Sequence, residues 1–203
     1  MKLYNSIGPN PQVVRTFMAE RGIELPMEEV DIMTGVNRQS DYLSINPAGQ
    51  LPALELDDGS LLTEITVICE YLDETQPGEP LMGSTPEDRA QARRWTRWVD
   101  LNVCEPMVNG FRGAEGLAMF KDRMRVFPEA ADGLKASAQD KLEWLDGQLA
   151  GRDYLAGDRF TLADILLSTF LAFGEQVGQP LNRDLKNVSA WFDRCQARPS
   201  ASA

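Results

Sequence analysis

The chain has 203 residues, with 31 Asp and Glu against 20 Lys and Arg and no histidine, giving a net charge of −11. That field excludes simple electrostatic attraction to nucleic acid or an anionic membrane, and the missing imidazole removes every His-based triad, base and metal site. The length suits two domains, and 43% apolar residues suffice for proper cores. Cys69, Cys104 and Cys195 are odd in number, widely spaced and without a CxxC pair, which points to a reducing, cytoplasmic setting and against a disulfide frame or zinc site. No apolar run approaches a membrane span, and Met1-Lys2-Leu3-Tyr4 enters a strand at once, so neither a membrane helix nor a leader is expected.

In chain order, residues 2–5 read as a short strand and Gly8-Pro9-Asn10-Pro11 as a loop. Val13, Val14, Phe17 and Met18 then recur at helical spacing over residues 12–20, closed by Arg21-Gly22. Residues 28–32 alternate like a half-buried strand, and residues 37–44 predict a short irregular helix before the Asn46-Pro47 turn. Two strands flank Asp57-Asp58-Gly59-Ser60, a hairpin turn in which Gly59 supplies the positive φ. A helix over 64–74 turns Val67, Ile68, Tyr71 and Leu72 inward. The order β-α-β-α-β-β-α describes an α/β sandwich with mixed pairing. Gln76-Pro77-Gly78-Glu79-Pro80 stops it, so the reading is a first domain over 1–78, a linker over 79–86 and an all-helical domain over 87–203.

In the second half, a long amphipathic helix is expected from 88 to about 109, ending near Pro106 or Gly110, with Trp95, Trp98, Val99 and Leu101 as core or interface. Another helix covers about 133–149. Thr161 and Asp164 form a short-reach capping box ahead of Ile165-Leu166-Leu167, and that helix is apolar nearly all round, so it should lie buried. A last helix runs over 184–197, and residues 199–203 are expected to fray.

The segment from Asn46 to Glu64 carries the most information. Pro52 cannot donate to a ladder, so it belongs at a strand start, edge or bend, and the Leu51–Pro52 bond is a candidate cis peptide. A bend there turns the Leu51 N–H and C=O outward, where an extended peptide could pair with them. Thr63-Glu64 opens a helix whose free N–H groups suit an anion. These features together describe a cradle for a peptide carboxylate.

Asn46-Pro47-Ala48-Gly49-Gln50-Leu51-Pro52, Asp58-Gly59 with Leu62-Thr63-Glu64 and Ile68-Cys69-Glu70-Tyr71-Leu72, and Phe160-Thr161-Leu162-Ala163-Asp164 occur in that order. On these motifs the chain resembles the cytosolic glutathione S-transferases over essentially its whole length. The resemblance implies a thioredoxin-like α/β N-terminal domain followed by an all-α helical-bundle C-terminal domain, assembled as a homodimer. It also implies a transferase that joins glutathione, as co-substrate, to a small hydrophobic electrophile in detoxification, with no metal or other cofactor. On the same basis Leu51 pairs its backbone with the cysteinyl part of glutathione beside cis-Pro52. Gln50 and Glu64 hold the γ-glutamyl end, with the Ile65 N–H at the carboxylate, and Arg38 meets the glycyl carboxylate. The electrophile falls to the second domain, around Met107, Phe111, Arg112 and Phe120.

Two positions depart from the family pattern. Ile65 stands where a Ser or Thr hydroxyl usually donates to the γ-glutamyl carboxylate. Gly8 stands where many bacterial relatives carry the Ser or Thr that stabilises the glutathione thiolate, which leaves Asn10 or Ser6 as the donor, Tyr4 reading as core. Glutathione conjugation, disulfide reduction by bound glutathione, and a non-catalytic binding or dimerisation scaffold therefore stand as three readings.

Overall fold

The computed structural model describes all of residues 1–203 and divides into two compact units, residues 1–82 with 199–203, and residues 83–198. The first unit contains a four-stranded sheet in the order β2-β1-β3-β4. Its strands are β1 (Lys2–Asn5), β2 (Met27–Glu29), β3 (Ala53–Glu55) and β4 (Leu61–Leu62). β1 runs parallel to β2 and antiparallel to β3, with Tyr4 opposite Glu28 on one side and Ala53 on the other. β3 and β4 form the expected hairpin, Leu54 opposite Leu62.

Alternation along each strand sorts the side chains to two faces. Tyr4 and Ala53 pack with Val30 and Tyr42 on one face, flanked by Ile45, Leu51 and Leu61. Leu3 and Leu54 lie on the other and are fully buried, as are Val13, Val14 and Phe17 of α1 (Pro9–Arg21) and Ile68, Cys69 and Leu72 of α3 (Ile65–Thr75). The apolar period of each helix places those residues on one stripe, and the two helices pack together. A single turn of 3-10 helix (Val36–Arg38) and α2 (Ser40–Ile45) carry the chain from β2 to the loop before β3. β2 ends three residues earlier than its alternation suggests and is solvent-exposed throughout, because it is the edge strand.

The first unit extends past Gly78 to Met82 because a buried ion pair holds it there. Arg21 Nε lies 2.9 Å from Asp73 Oδ1, both side chains only 2% exposed. Arg21 also donates to the carbonyls of Asp73, Gln76 and Glu79, and the Asp73 carboxylate accepts from the N–H groups of Leu81 and Met82. The tail does not fray. Residues 199–202 form a 3-10 turn belonging to the first unit, where buried Ser200 donates to Glu20 and Gln12 donates to the Ala203 carbonyl.

The second unit is all helical: α4 (Pro86–Val99), α5 (Glu105–Gly113), α6 (Leu117–Phe120), α7 (Ala131–Gln148), α8 (Leu162–Gln176) and α9 (Lys186–Gln196). The long helix expected over 88–109 is α4 and α5 joined by a π-helical stretch, Asp100–Cys104. Pro106 has no N–H for the Asn102 carbonyl, and the widened turn just before it lets the chain continue rather than stop. α8 sits at the centre, with Leu162 to Leu171 buried without interruption. Its capping box forms as expected, and Asp164 does more than cap. Its carboxylate accepts from the N–H groups of Thr161 and Leu155, the Thr161 hydroxyl, and the indole of Trp191 on α9. No helix is long and apolar enough to cross a membrane.

Candidate active site

The sheet topology gathers the candidate residues of the first unit at one end. β1 and β2 are parallel, so their C-terminal ends coincide. β3 is antiparallel to β1 and β4 antiparallel to β3, so the start of β3 and the end of β4 reach the same side. The loop to α1, the Leu51–Pro52 peptide and the tip of α3 therefore emerge together.

The Leu51–Pro52 bond is cis. Strand pairing begins only at Ala53, so the N–H and C=O of Leu51 remain outside the ladder. The loop feeding this peptide is held carbonyl by carbonyl. Arg38 Nη1 donates to the Ala48 oxygen at 3.1 Å and Asn37 Nδ2 to the Gly49 oxygen at 2.6 Å. The Tyr42 hydroxyl and Asn46 Nδ2 both donate to the Gln50 oxygen, at 2.8 and 2.9 Å. Two donors on one carbonyl fix the plane of the Gln50–Leu51 peptide and hence the direction of the Leu51 N–H. Burial pushes the Tyr42 phenol up to about 12, so it stays a donor at neutral pH. Gly49 is required here: with φ +61, a Cβ would also lie 2.7 Å from the Asn37 carbonyl oxygen. The Gln50 side chain is exposed, free of this scaffold.

Glu64 is the sole non-glycine residue with positive φ, at 68°, and its side chain is exposed at the tip of α3. Holding a non-glycine residue there costs on the order of 1–3 kcal/mol, and such strain concentrates at ligand-binding positions. No side chain caps α3, and the first intrahelical bond is Ile68 N–H to the Glu64 carbonyl. The N–H groups of Ile65, Thr66 and Val67 are thus left for an anion, as expected of the helix start.

The thiol-activating candidates separate clearly. Ser6 is 3% exposed, and its hydroxyl donates to the Val30 carbonyl at 2.6 Å, so its proton is committed inside the fold. Tyr4 is core, its ring beside Tyr42 and its hydroxyl donating to Glu55 at 2.7 Å. Asn10 is half-exposed in the first turn of α1. Its neighbours Pro9 and Pro11 carry no N–H, and Gln12 N–H is taken by the Gly8 carbonyl. Asn10 alone therefore offers a free backbone N–H at this positive helix end, with its side-chain amide beside it. Gly8 caps α1 at φ 106°, ψ 170°, a conformation essentially confined to glycine. The absence of a Ser or Thr at position 8 is thus matched by a backbone that would strain to hold one.

Residues unmarked in the sequence support this end of the sheet. Half-buried Arg15 on α1 donates to Asn5 Oδ1 at 2.8 Å and to the Ser6 carbonyl at 3.0 Å, while Asn5 donates to Glu29. With Tyr42 and Asn46 it fixes the loops from beneath. Arg15 and Asn5 could not be singled out from spacing, since their bonds join separate elements.

A β2-β1-β3-β4 mixed sheet with a cis-proline opening β3, followed by an all-α unit, defines a thioredoxin-like domain coupled to a helical one. Residues 7–75 match the glutathione S-transferase N-terminal domain and residues 117–199 the corresponding C-terminal domain. Glutathione S-transferase 2 of Saccharomyces cerevisiae is 30% identical over 198 residues, covering 95% of this chain and 84% of that protein. A glutathione S-transferase domain-containing protein of Marinobacter aquaeolei superposes with a TM-score of 0.92 at 33% identity, covering 99% of this chain and 100% of the other. The β-etherase LigF of Sphingobium superposes with a TM-score of 0.84 at 29% identity, covering 99% and 96% of the two chains. The chain belongs to the glutathione S-transferase family.

Proposed function

We propose that the chain binds glutathione at the gathered end of the sheet and transfers it to a small electrophile. The observation that carries this reading is the convergence of three unpaired donor sets, the Leu51 peptide, the uncapped tip of α3 and the first turn of α1. Leu51 pairs with the cysteinyl backbone, as a strand pairs with an edge. The α-carboxylate of the γ-glutamyl group sits at the N–H groups of Ile65 and Thr66, Glu64 takes the ammonium, and Gln50 and Arg38 complete the grip. The sulfur lies at Asn10, whose amide donors and helix position favour thiolate over thiol. The thiolate then attacks the electrophilic carbon. An S–C bond forms, the leaving group departs with its electron pair, and the thiol proton has gone to solvent. No cysteine of the chain competes for this role. All three are buried, and burial drives their thiols upward away from ionisation.

The same cysteine burial favours a second reading, in which bound glutathione attacks a mixed disulfide, since its own sulfur would be the reacting thiol. Calorimetric titration with glutathione is the first test: micromolar to low-millimolar binding is expected, and no heat at millimolar ligand would leave a non-catalytic scaffold. Assays with a chloronitroaromatic and with a mixed disulfide then separate the two chemistries. Asn10→Ala should raise the pKa of the bound thiol by about one unit, the loss of one hydrogen bond to a charged group. An unmoved thiolate absorbance titration would remove Asn10 from the mechanism.

A further inference from the structure

The last residues of the chain are fastened to the helix that carries Asn10. Residues 199–203 belong to the first unit and pack against α1, tied near both of its ends. At the C-terminal turn the buried Ser200 hydroxyl donates to Glu20 at 2.6 Å. At the N-terminal turn Gln12 Nε2 donates to the Ala203 carbonyl, also at 2.6 Å. The segment is braced within itself, Ser202 donating to the Pro199 carbonyl and the Ala203 N–H to the Ser200 carbonyl.

Gln12 is the junction. Its Nε2 also donates to the hydroxyl of buried Thr16 at 3.1 Å, and its Oε1 accepts from Arg15 Nη2. Arg15 Nη1 continues to Asn5 Oδ1 at 2.8 Å and the Ser6 carbonyl at 3.0 Å. A path of direct hydrogen bonds therefore runs from residue 203 through Gln12 and Arg15 to the loop that leads into α1. The first turn of α1 needs such support, because a helix start lacks intrahelical partners and frays. No side chain caps it, Pro9 and Pro11 bring no N–H, and its opening bond is Gln12 N–H to the Gly8 carbonyl at 3.2 Å. What holds Gln12 thus holds Asn10, two residues before it.

We propose that residues 199–203 are a working part of the thiol end of the site, with Gln12 the positioning residue that keeps the Asn10 amide on the glutathione sulfur. The inference rests on the transferase reading of that helix start. Gln12 and the terminal segment act through Asn10, so their effect on the thiol has a ceiling, the effect of removing the Asn10 amide itself. Glutathione affinity is retained without them, because its grip lies at Leu51 and the tip of α3.

The experiment uses Gln12→Ala, the chain shortened after Arg198, the two combined, and each in an Asn10→Ala background. Circular dichroism checks the fold of each, and Gln12→Ala carries the test alone where the shortened chain does not fold. Without glutathione, amide exchange at Gln12, read by NMR, should speed about tenfold in either variant as the first turn loosens. With glutathione, thiolate absorbance should show the bound thiol pKa raised by about half a unit in either variant and no further in the combination, as expected of residues on one path. In the Asn10→Ala background neither change should raise it again. Unmoved exchange, an unmoved thiol pKa in variants that still bind glutathione, a further rise without the Asn10 amide, or loss of glutathione binding each overturns the proposal while leaving the transferase reading in place. Absence of glutathione binding by the unaltered chain removes that reading, and this inference with it.

Discussion

At the scale of single residues, Ile65 and Gly8 distinguish this chain from the pattern it otherwise follows. Ile65 leaves its backbone N–H at the anion position but supplies no hydroxyl. A hydrogen bond to a charged group is worth roughly 1.5–3 kcal/mol, so Ile65→Ser should tighten glutathione about ten- to a hundredfold by calorimetry. Unchanged or weaker affinity would mean that the carboxylate does not sit at the tip of α3. Gly8 reads in the sequence as a missing hydroxyl, and the backbone gives the reason, a positive φ that disfavours any side chain. Asn10 acquires its importance from its neighbours, because two prolines strip the first turn of α1 of other donors. That much was readable in Pro9-Asn10-Pro11. The engagement of Ser6 with Val30 was not, since it depends on a contact between two strand ends.

At the scale of elements, local signals and distant ones divide sharply. The β3–β4 hairpin and the Thr161–Asp164 capping box form where their short motifs place them. The start of α9, by contrast, has no cap in its own sequence. Asp146 of α7 accepts from the N–H groups of Asn187 and Val188 instead, at 2.8 and 2.9 Å. Asp164 combines both kinds of bond. Asp164→Ala leaves the buried N–H groups of Leu155 and Thr161 and the Trp191 indole without acceptors. At about 1–3 kcal/mol for each unsatisfied group, with partial relaxation, the loss should reach about 3–5 kcal/mol in urea unfolding. A loss under about 1 kcal/mol would show that water replaces the carboxylate and that the centre of the helical unit is wetter than its burial implies.

At the scale of the whole molecule, one exposed face invites a partner. Trp98 and Trp144 stack with ring centres 4.7 Å apart, beside Trp95, and Trp144 is 45% exposed and Leu101 48%. Large apolar groups open to water in this density mark association surfaces. If the homodimer that the family resemblance implies forms on this face, a second copy of the chain covers them. Trp144→Glu would then bury an unpaired charge at the contact, and sedimentation equilibrium should show the dimer weakened at least tenfold. A dimer of unaltered strength would place the contact elsewhere, and a wild-type monomer would dismiss it.

The sequence by itself determined the features whose physics is local. Pro52 restricted its own peptide, Thr161 and Asp164 capped their own helix, and apolar periods marked the inward stripes of α1 and α8 and, apart from Val67, which is exposed, that of α3. Tertiary structure alone decided which donors remain free: Tyr42 and Asn46 converge on the Gln50 carbonyl, Val30 takes the Ser6 proton, and Arg112 is left without an acceptor at Nε. A residue type states how many hydrogen bonds a group can make. Whether those bonds are already spent depends on neighbours that only folding brings within 3 Å.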